Sequence, residues 1–166
     1  MKWSKLSAIP LLFATLLFFS ACEKEADKDN RTIYAPPTLP MSSAQEVPIN
    51  PTTGTGTINA TYNKNTRILT YAVTWTGITG PVAAMHIHGL ADPGFNAGVL
   101  QNIVTASNGI ATPGSKYGTS GSISATLYID GTVFKEEHLL ANKYYLNIHT
   151  ALYPGGEIRG QLIMNQ

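Results

Sequence analysis

Three of the four histidines stand in stretches where apolar and polar residues alternate. Met85-His86-Ile87-His88-Gly89 has the periodicity of a strand, which puts His86 and His88 on one face and Met85 and Ile87 on the other. Tyr145-Leu146-Asn147-Ile148-His149 repeats the pattern, with Leu146 and Ile148 inward and Tyr145, Asn147 and His149 outward. Gly156-Glu157-Ile158-Arg159-Gly160-Gln161-Leu162 does so again, with Glu157, Arg159 and Gln161 outward. If these strands are neighbours, three imidazoles, a guanidinium and a carboxylate meet at the sheet surface. Three neutral imidazoles suit one copper or zinc ion and leave a coordination position for water. The same residues also fit a hydrogen-bonded network in which the histidines bridge Glu157, Asn147 and nearby loops to pin the strands. Glu157 and Arg159, two apart on one face, read as an ion pair orienting His149 or as a solvated polar surface. His138, beside Glu136 and Glu137, reads as a solvated residue. No Ser-His-Asp or Cys-His arrangement, phosphate loop or convincing carboxylate pair is present, so hydrolase chemistry has no support. A binding role outweighs an enzymatic one.

The elements that must position these residues are short strands. Residues 54–62 and 67–76 alternate on either side of Asn63-Lys64-Asn65-Thr66 and predict a hairpin. Residues 39–48 read as an edge strand, because Pro40 and Pro48 cannot donate to a ladder. Further strands are expected over 82–89, 99–104, 121–129, 144–150 and 157–164, with a loop over 90–98 and a loose, Gly-rich stretch over 106–119. Thr132 could cap a short helix over 133–141. Seven or eight strands with turns between them and at most one helix predict an all-β fold, an antiparallel Greek-key sandwich or flattened barrel.

The start of the chain reads as a targeting segment. Lys2 and Lys5 precede an apolar run over residues 8–19 that is short for a membrane span, and Phe19-Ser20-Ala21-Cys22 follows. This end resembles a bacterial lipobox, although Phe19 stands where leucine is usual. The resemblance implies a signal peptide over 1–21, lipidation of Cys22, the only cysteine, and attachment to the cell envelope by acyl chains. A plain secretory signal is the other reading. Residues 22–37 are dense in charge and end in Ala35-Pro36-Pro37, which predicts a disordered tether. Its acidic stretch resembles the signal that sends some outer-membrane lipoproteins to the cell surface; a solvated spacer fits equally. Without Lys2 and Lys5, eleven basic residues fall to nine against ten acidic ones, a formal net charge of −1. No basic patch exists to track phosphates, which argues against a nucleic-acid partner. The expected partners are a membrane, through the lipid, and an unidentified protein or glycan, with the chain monomeric.

Over residues 38–166 the chain resembles a CHRD domain, the module repeated in the extracellular protein chordin. The likeness rests on Ala44-Gln45-Glu46-Val47-Pro48, on Gly77-Ile78-Thr79-Gly80-Pro81 leading to Ala84-Met85-His86-Ile87-His88-Gly89, and on Asn147-Ile148-His149-Thr150 followed by Pro154-Gly155-Gly156-Glu157-Ile158-Arg159-Gly160-Gln161-Leu162. It implies a fold and an extracytoplasmic location more than an activity. A weaker likeness is to copper/zinc superoxide dismutase, through the order of the Gly-Ile-Thr-Gly turn, the His-x-His strand and the late Asn-Ile-His strand. It implies copper at His86, His88 and His149, with Arg159 near the place of a substrate-guiding arginine. No histidine in the 90–98 loop could bridge to a second metal, and the stabilising cysteine pair is missing. A dinuclear site is therefore not expected.

Overall fold

The hairpin over Thr55–Asn63 (β3) and Ile68–Thr76 (β4) shows how the sequence makes this sheet. Ile58, Ala60 and Tyr62 on β3, and Leu69, Tyr71, Val73 and Trp75 on β4, turn one face inward and are all buried. The reversal is held by Asn63, whose Oδ1 accepts hydrogen bonds from the backbone N–H groups of Asn65 and Thr66 at 2.9 and 3.2 Å. Asn and Asp favour such turns because the side chain imitates a backbone acceptor.

In the computed structural model, residues 30–104 and 117–164 are described. The targeting segment, Cys22, most of the tether and much of the Gly-rich stretch lie outside them. The remaining strands are Ile33–Tyr34 (β1), Leu39–Ser42 (β2), Val82–Gly89 (β5), Val99–Val104 (β6), Gly121–Tyr128 (β7), Tyr144–Thr150 (β8) and Ile158–Gln161 (β9). All pair antiparallel in the order β6-β5-β8-β9-β2-β3-β4-β7, with β1 added to β3. The expectation of an all-β antiparallel architecture holds, in the form of one curled sheet, a half-barrel, with a single short α-helix among the described residues. Strands far apart in that order share one core. Tyr71 and Val73 of β4 belong to the same cluster as Met85 and Ile87 of β5, so the sheet wraps round its own apolar face. Hydrogen bonds from Val82 N to Tyr117 O and from Ile78 N to Thr119 O tie the start of β5 and the turn before it to the segment before β7.

Three expectations need correction. The first concerns β2, which is not an edge strand but lies between β9 and β3. Its ladder to β9 registers only Ser42 with Arg159, so Pro40 lies outside it, and Pro48 falls beyond the strand. The folded part also reaches further toward the N-terminus than residue 38. Tyr34 is buried against Tyr62, with ring centroids 6.2 Å apart, and draws β1 into the sheet. Last, the helix (α1) is only Glu136–Leu140, and Thr132 does not cap it. The stretch before it is an Asp130 turn, whose Oδ1 accepts from the backbone N–H groups of Thr132, Val133 and Phe134.

Candidate metal centre

The three stretches expected to carry the chemistry are adjacent strands. His86 pairs with Asn147 and His88 with Tyr145 across β5 and β8, and Asn147 pairs with Arg159 across β8 and β9. The aliphatic partners face the core as alternation requires. The opposite face is not open to solvent. Every residue of β8 is buried, as are Glu157, Arg159 and Gln161. Two irregular segments cover this face. Asn96 Nδ2 donates to Val47 O across them at 2.8 Å, Gln161 Nε2 donates to Ala91 O, and Asn50 Nδ2 donates to Glu157 O. The face read as a sheet surface is therefore a second, polar core under loops.

His86, His88 and His149 converge there. One ring nitrogen from each lies within 4.8 Å of the other two. The ring centroids of His86 are 5.5 Å from His88 and 4.7 Å from His149. Nδ1–H of His88 donates to Ala97 O at 3.0 Å, and Nδ1–H of His149 donates to Pro154 O at 2.9 Å. A carbonyl can only accept, so in each neutral ring Nε2 carries the lone pair. Both Nε2 atoms lie against Asn147 Oδ1, at 3.0 and 2.9 Å. Either the Asn147 amide turns its NH2 toward them or a cation takes the lone pairs. His86 supplies the third position, because its Nδ1 is buried without a hydrogen-bond partner. Ligands about 2.0–2.1 Å from a tetrahedral ion stand roughly 3.3 Å apart, so nitrogens as much as 4.8 Å apart must draw closer to hold one.

The flanking groups differ from the expected ion pair. Glu157, with no exposed surface, makes no ion pair with Arg159. Its Oε1 accepts from Thr52 Oγ1 and Thr79 N, both at 2.7 Å, and its Oε2 accepts from Thr79 Oγ1 at 2.8 Å and Thr150 Oγ1 at 2.6 Å. The carboxylate thus fastens three segments and does not reach the histidines by hydrogen bond. The Arg159 guanidinium lies 3.3 Å from the Tyr145 ring centroid, and His88 stacks on that ring at 4.7 Å with parallel planes. Tyr145 stands between them, so Arg159 does not face the imidazoles as an anion guide.

The pattern of alternation gives no notice of Glu46. It is 4% exposed, lies in an irregular segment, and its only sequence signal is the Ala44-Gln45-Glu46-Val47-Pro48 motif. Burial pushes its carboxyl up to about 7, against the pull of Arg159 and a hydrogen bond from Asn147. Burial, with the neighbouring His149 and His88, pushes His86 down to about 4. Burial also lowers His149, against the hydrogen bond to Pro154 and with a smaller push from His88. These groups act oppositely on stability. An imidazole held low contributes stability above pH 6.5 that is lost as pH falls toward 4. A carboxyl held high binds a proton in the folded state first, so it adds stability as pH falls from 7 toward 4.5. Glu46→Gln removes the compensating group. Its unfolding free energy, measured by urea titration, will fall more steeply than wild type between pH 7 and 4.5, by on the order of 2 kcal/mol. Parallel profiles would refute this.

Comparison with family models matches the CHRD domain over residues 38–162. The chain belongs to the CHRD domain family. No curated protein and no solved structure matches it, and the likeness to superoxide dismutase has no support beyond the residues themselves. The motifs that carry the CHRD resemblance meet at this face. Glu46 comes from the first, Thr79, His86 and His88 from the second, and Asn147, His149, Glu157 and Arg159 from the third. Among the described residues, these CHRD motifs build a buried His86/His88/His149 cluster that could hold a metal.

Proposed function

We propose that this protein is an envelope-anchored, extracytoplasmic binding module whose CHRD domain holds one copper or zinc ion at His86 Nδ1, His88 Nε2 and His149 Nε2. The observation that carries the reading is the convergence of the three imidazoles with two of them locked by Nδ1–H bonds to backbone carbonyls. Metal-bound histidines are commonly oriented in this way, the second nitrogen donating to a fixed acceptor. The set contains no thiolate, and neutral imidazole suits Cu and Zn over Mg or Ca. Metal-stripped protein should bind one equivalent of Cu(II), with nitrogen hyperfine structure in the electron paramagnetic resonance spectrum. A featureless titration would leave the histidines as a structural network.

Redox catalysis of the superoxide dismutase kind is the second reading. Half-buried His86, the most exposed of the three imidazoles, favours it; the engagement of Arg159 behind Tyr145 does not. The binding partner beyond the metal is a protein or glycan at the envelope, and the chain acts as a monomer. Anchoring rests on the small-small-Cys end of the apolar run. Cys22→Ser should move the protein from the membrane to the soluble fraction and remove the mass of the lipid. Retention in the membrane would count against it. Placement in the outer membrane, facing the cell exterior, rests on the acidic tether and predicts cleavage by protease added to intact cells.

A further inference from the structure

A second cluster lies beside the histidines and is not used by them. A cavity of about 420 Å³ opens between residues 44–49 and the Pro93–Gly94 turn, with Val47, Pro48, Ile49 and Pro93 as apolar walls and Glu46, Arg159 and Gln161 among its lining residues. That volume is within the range of small-molecule sites. Two of its polar groups lack the partners that burial demands. Arg159 is 1% exposed, yet it forms no ion pair among the described residues. Its guanidinium donates only to Phe95 O at 2.7 Å and Asn96 Oδ1 at 3.3 Å, and rests on Tyr145. A guanidinium has five N–H donors, and the carboxyl that acts on this one, Glu46, does so without ion-pair contact. Glu46 Oε1 is buried with no hydrogen-bond partner. The neighbouring amides are already engaged: Gln45 Nε2 donates to Pro40 O, and Gln161 Nε2 donates to Ala91 O and Asn142 O.

What is missing is an anion in contact with Arg159 and a donor for Glu46 Oε1, and one small molecule with an apolar body supplies both. We propose that this cavity binds a small organic carboxylate bearing an N–H or O–H group beside the carboxylate, with its charge toward Arg159 and its donor on Glu46 Oε1. The apolar walls admit a short branched side chain. The site adjoins the metal centre through Asn147 and Tyr145, and its ligand needs no metal.

Calorimetric titration of metal-stripped protein in EDTA tests this, with 2-hydroxy-4-methylpentanoate and 4-methylpentanoate as probes. EDTA keeps the hydroxy acid from reporting a bound metal. The hydroxy acid should bind at least about tenfold more tightly than the plain acid, the worth of one hydrogen bond to a buried acceptor. Glu46→Leu should level the two probes. Val47→Trp, a substitution in the wall, should abolish binding while the thermal transition stays native. Arg159→Gln should weaken both probes, and is read only where its thermal transition is native, because Arg159 is packed on all sides. Equal affinity of the two probes for wild type, no binding at millimolar concentration, or undiminished binding by Val47→Trp would overturn the proposal.

Discussion

Replacing Glu157 with alanine will destabilise the domain by about 3–5 kcal/mol, because a hydrogen bond to a charged group contributes roughly 1.5–3 kcal/mol and four are lost, some of them regained from water. In a domain of this size that corresponds to a fall in Tm of roughly 10–20 °C. The carboxylate has no exposed surface and accepts four hydrogen bonds from Thr52, Thr79 and Thr150. Those donors belong to the segment before β3, the turn before β5 and the end of β8. Alanine leaves Thr150 buried and unpaired, while half-buried Thr52 and exposed Thr79 can turn in part to water. A glutamine side chain in its place keeps the shape, and its carbonyl oxygen still accepts from Thr52 and Thr79 N. Its NH2 group meets the Thr79 and Thr150 hydroxyls, which can rotate to accept, so Glu157→Gln should recover more than half of the loss. Chemical denaturation of the three proteins at pH 7 checks this. A loss under about 1 kcal/mol for alanine, the worth of an ordinary hydrogen bond, would show that the threonines find other partners.

His88→Ala and His149→Ala will each lower Cu(II) affinity by about a hundredfold or more. Structural sites of four ligands reach roughly 10–16 kcal/mol, so one ligand is worth on the order of 3 kcal/mol. His86→Ala should cost less than either, because its ring is not held by a backbone carbonyl and must be ordered by the ion itself. Asn147→Leu should change affinity less than His88→Ala or His149→Ala, because Asn147 lies against the ligating Nε2 atoms and the rings are oriented through Nδ1 instead. His138→Ala is the control, since His138 sits on α1 beside Glu137 and outside the triad. Competition titration with a chromophoric chelator gives all five values. Equal affinity for the His88, His149 and His138 variants would remove the triad as the binding site.

How far this site can be read from the chain differs from residue to residue. Period-two alternation is enough for Met85, His86, Ile87 and His88, because a one-residue slip would put both imidazoles in the core. The same rule places Asn147 and His149 correctly relative to Leu146 and Ile148. Alternation says which face a side chain takes but not what covers that face. It therefore leaves Glu157, Arg159 and Gln161 in solvent, although residues 43–50 and 90–98 close over them. Those segments have no period, so nothing in them announces that Glu46 and Asn50 are buried or half-buried partners. The hairpin of β3 and β4 is legible because its determinants are local: one alternating pattern and the Asn63 turn. The position of β2 is not, because it depends on β9, more than a hundred residues later. The shortness of α1 has the same kind of cause, since the Asp130 turn uses the residues that a longer helix would need.

The position of β9 also bears on when this chain can fold. Among the described strands, β6-β5-β8 form one half of the sheet and β2-β3-β4-β7 the other, and the ladder between them runs through the four residues Ile158–Gln161. Of these strands, the joining one is made last. Until it emerges, Leu39 and Met41 on one side and Leu146 and Ile148 on the other have no common sheet to bury them. Until then a growing chain carries β2, β3, β4 and β7 on one side and the β5–β6 pair, joined late by β8, on the other, with no ladder between them. For a chain exported as proposed above, such late closure keeps the polypeptide threadable while it crosses the membrane, and assembly of the histidine face waits for the far side.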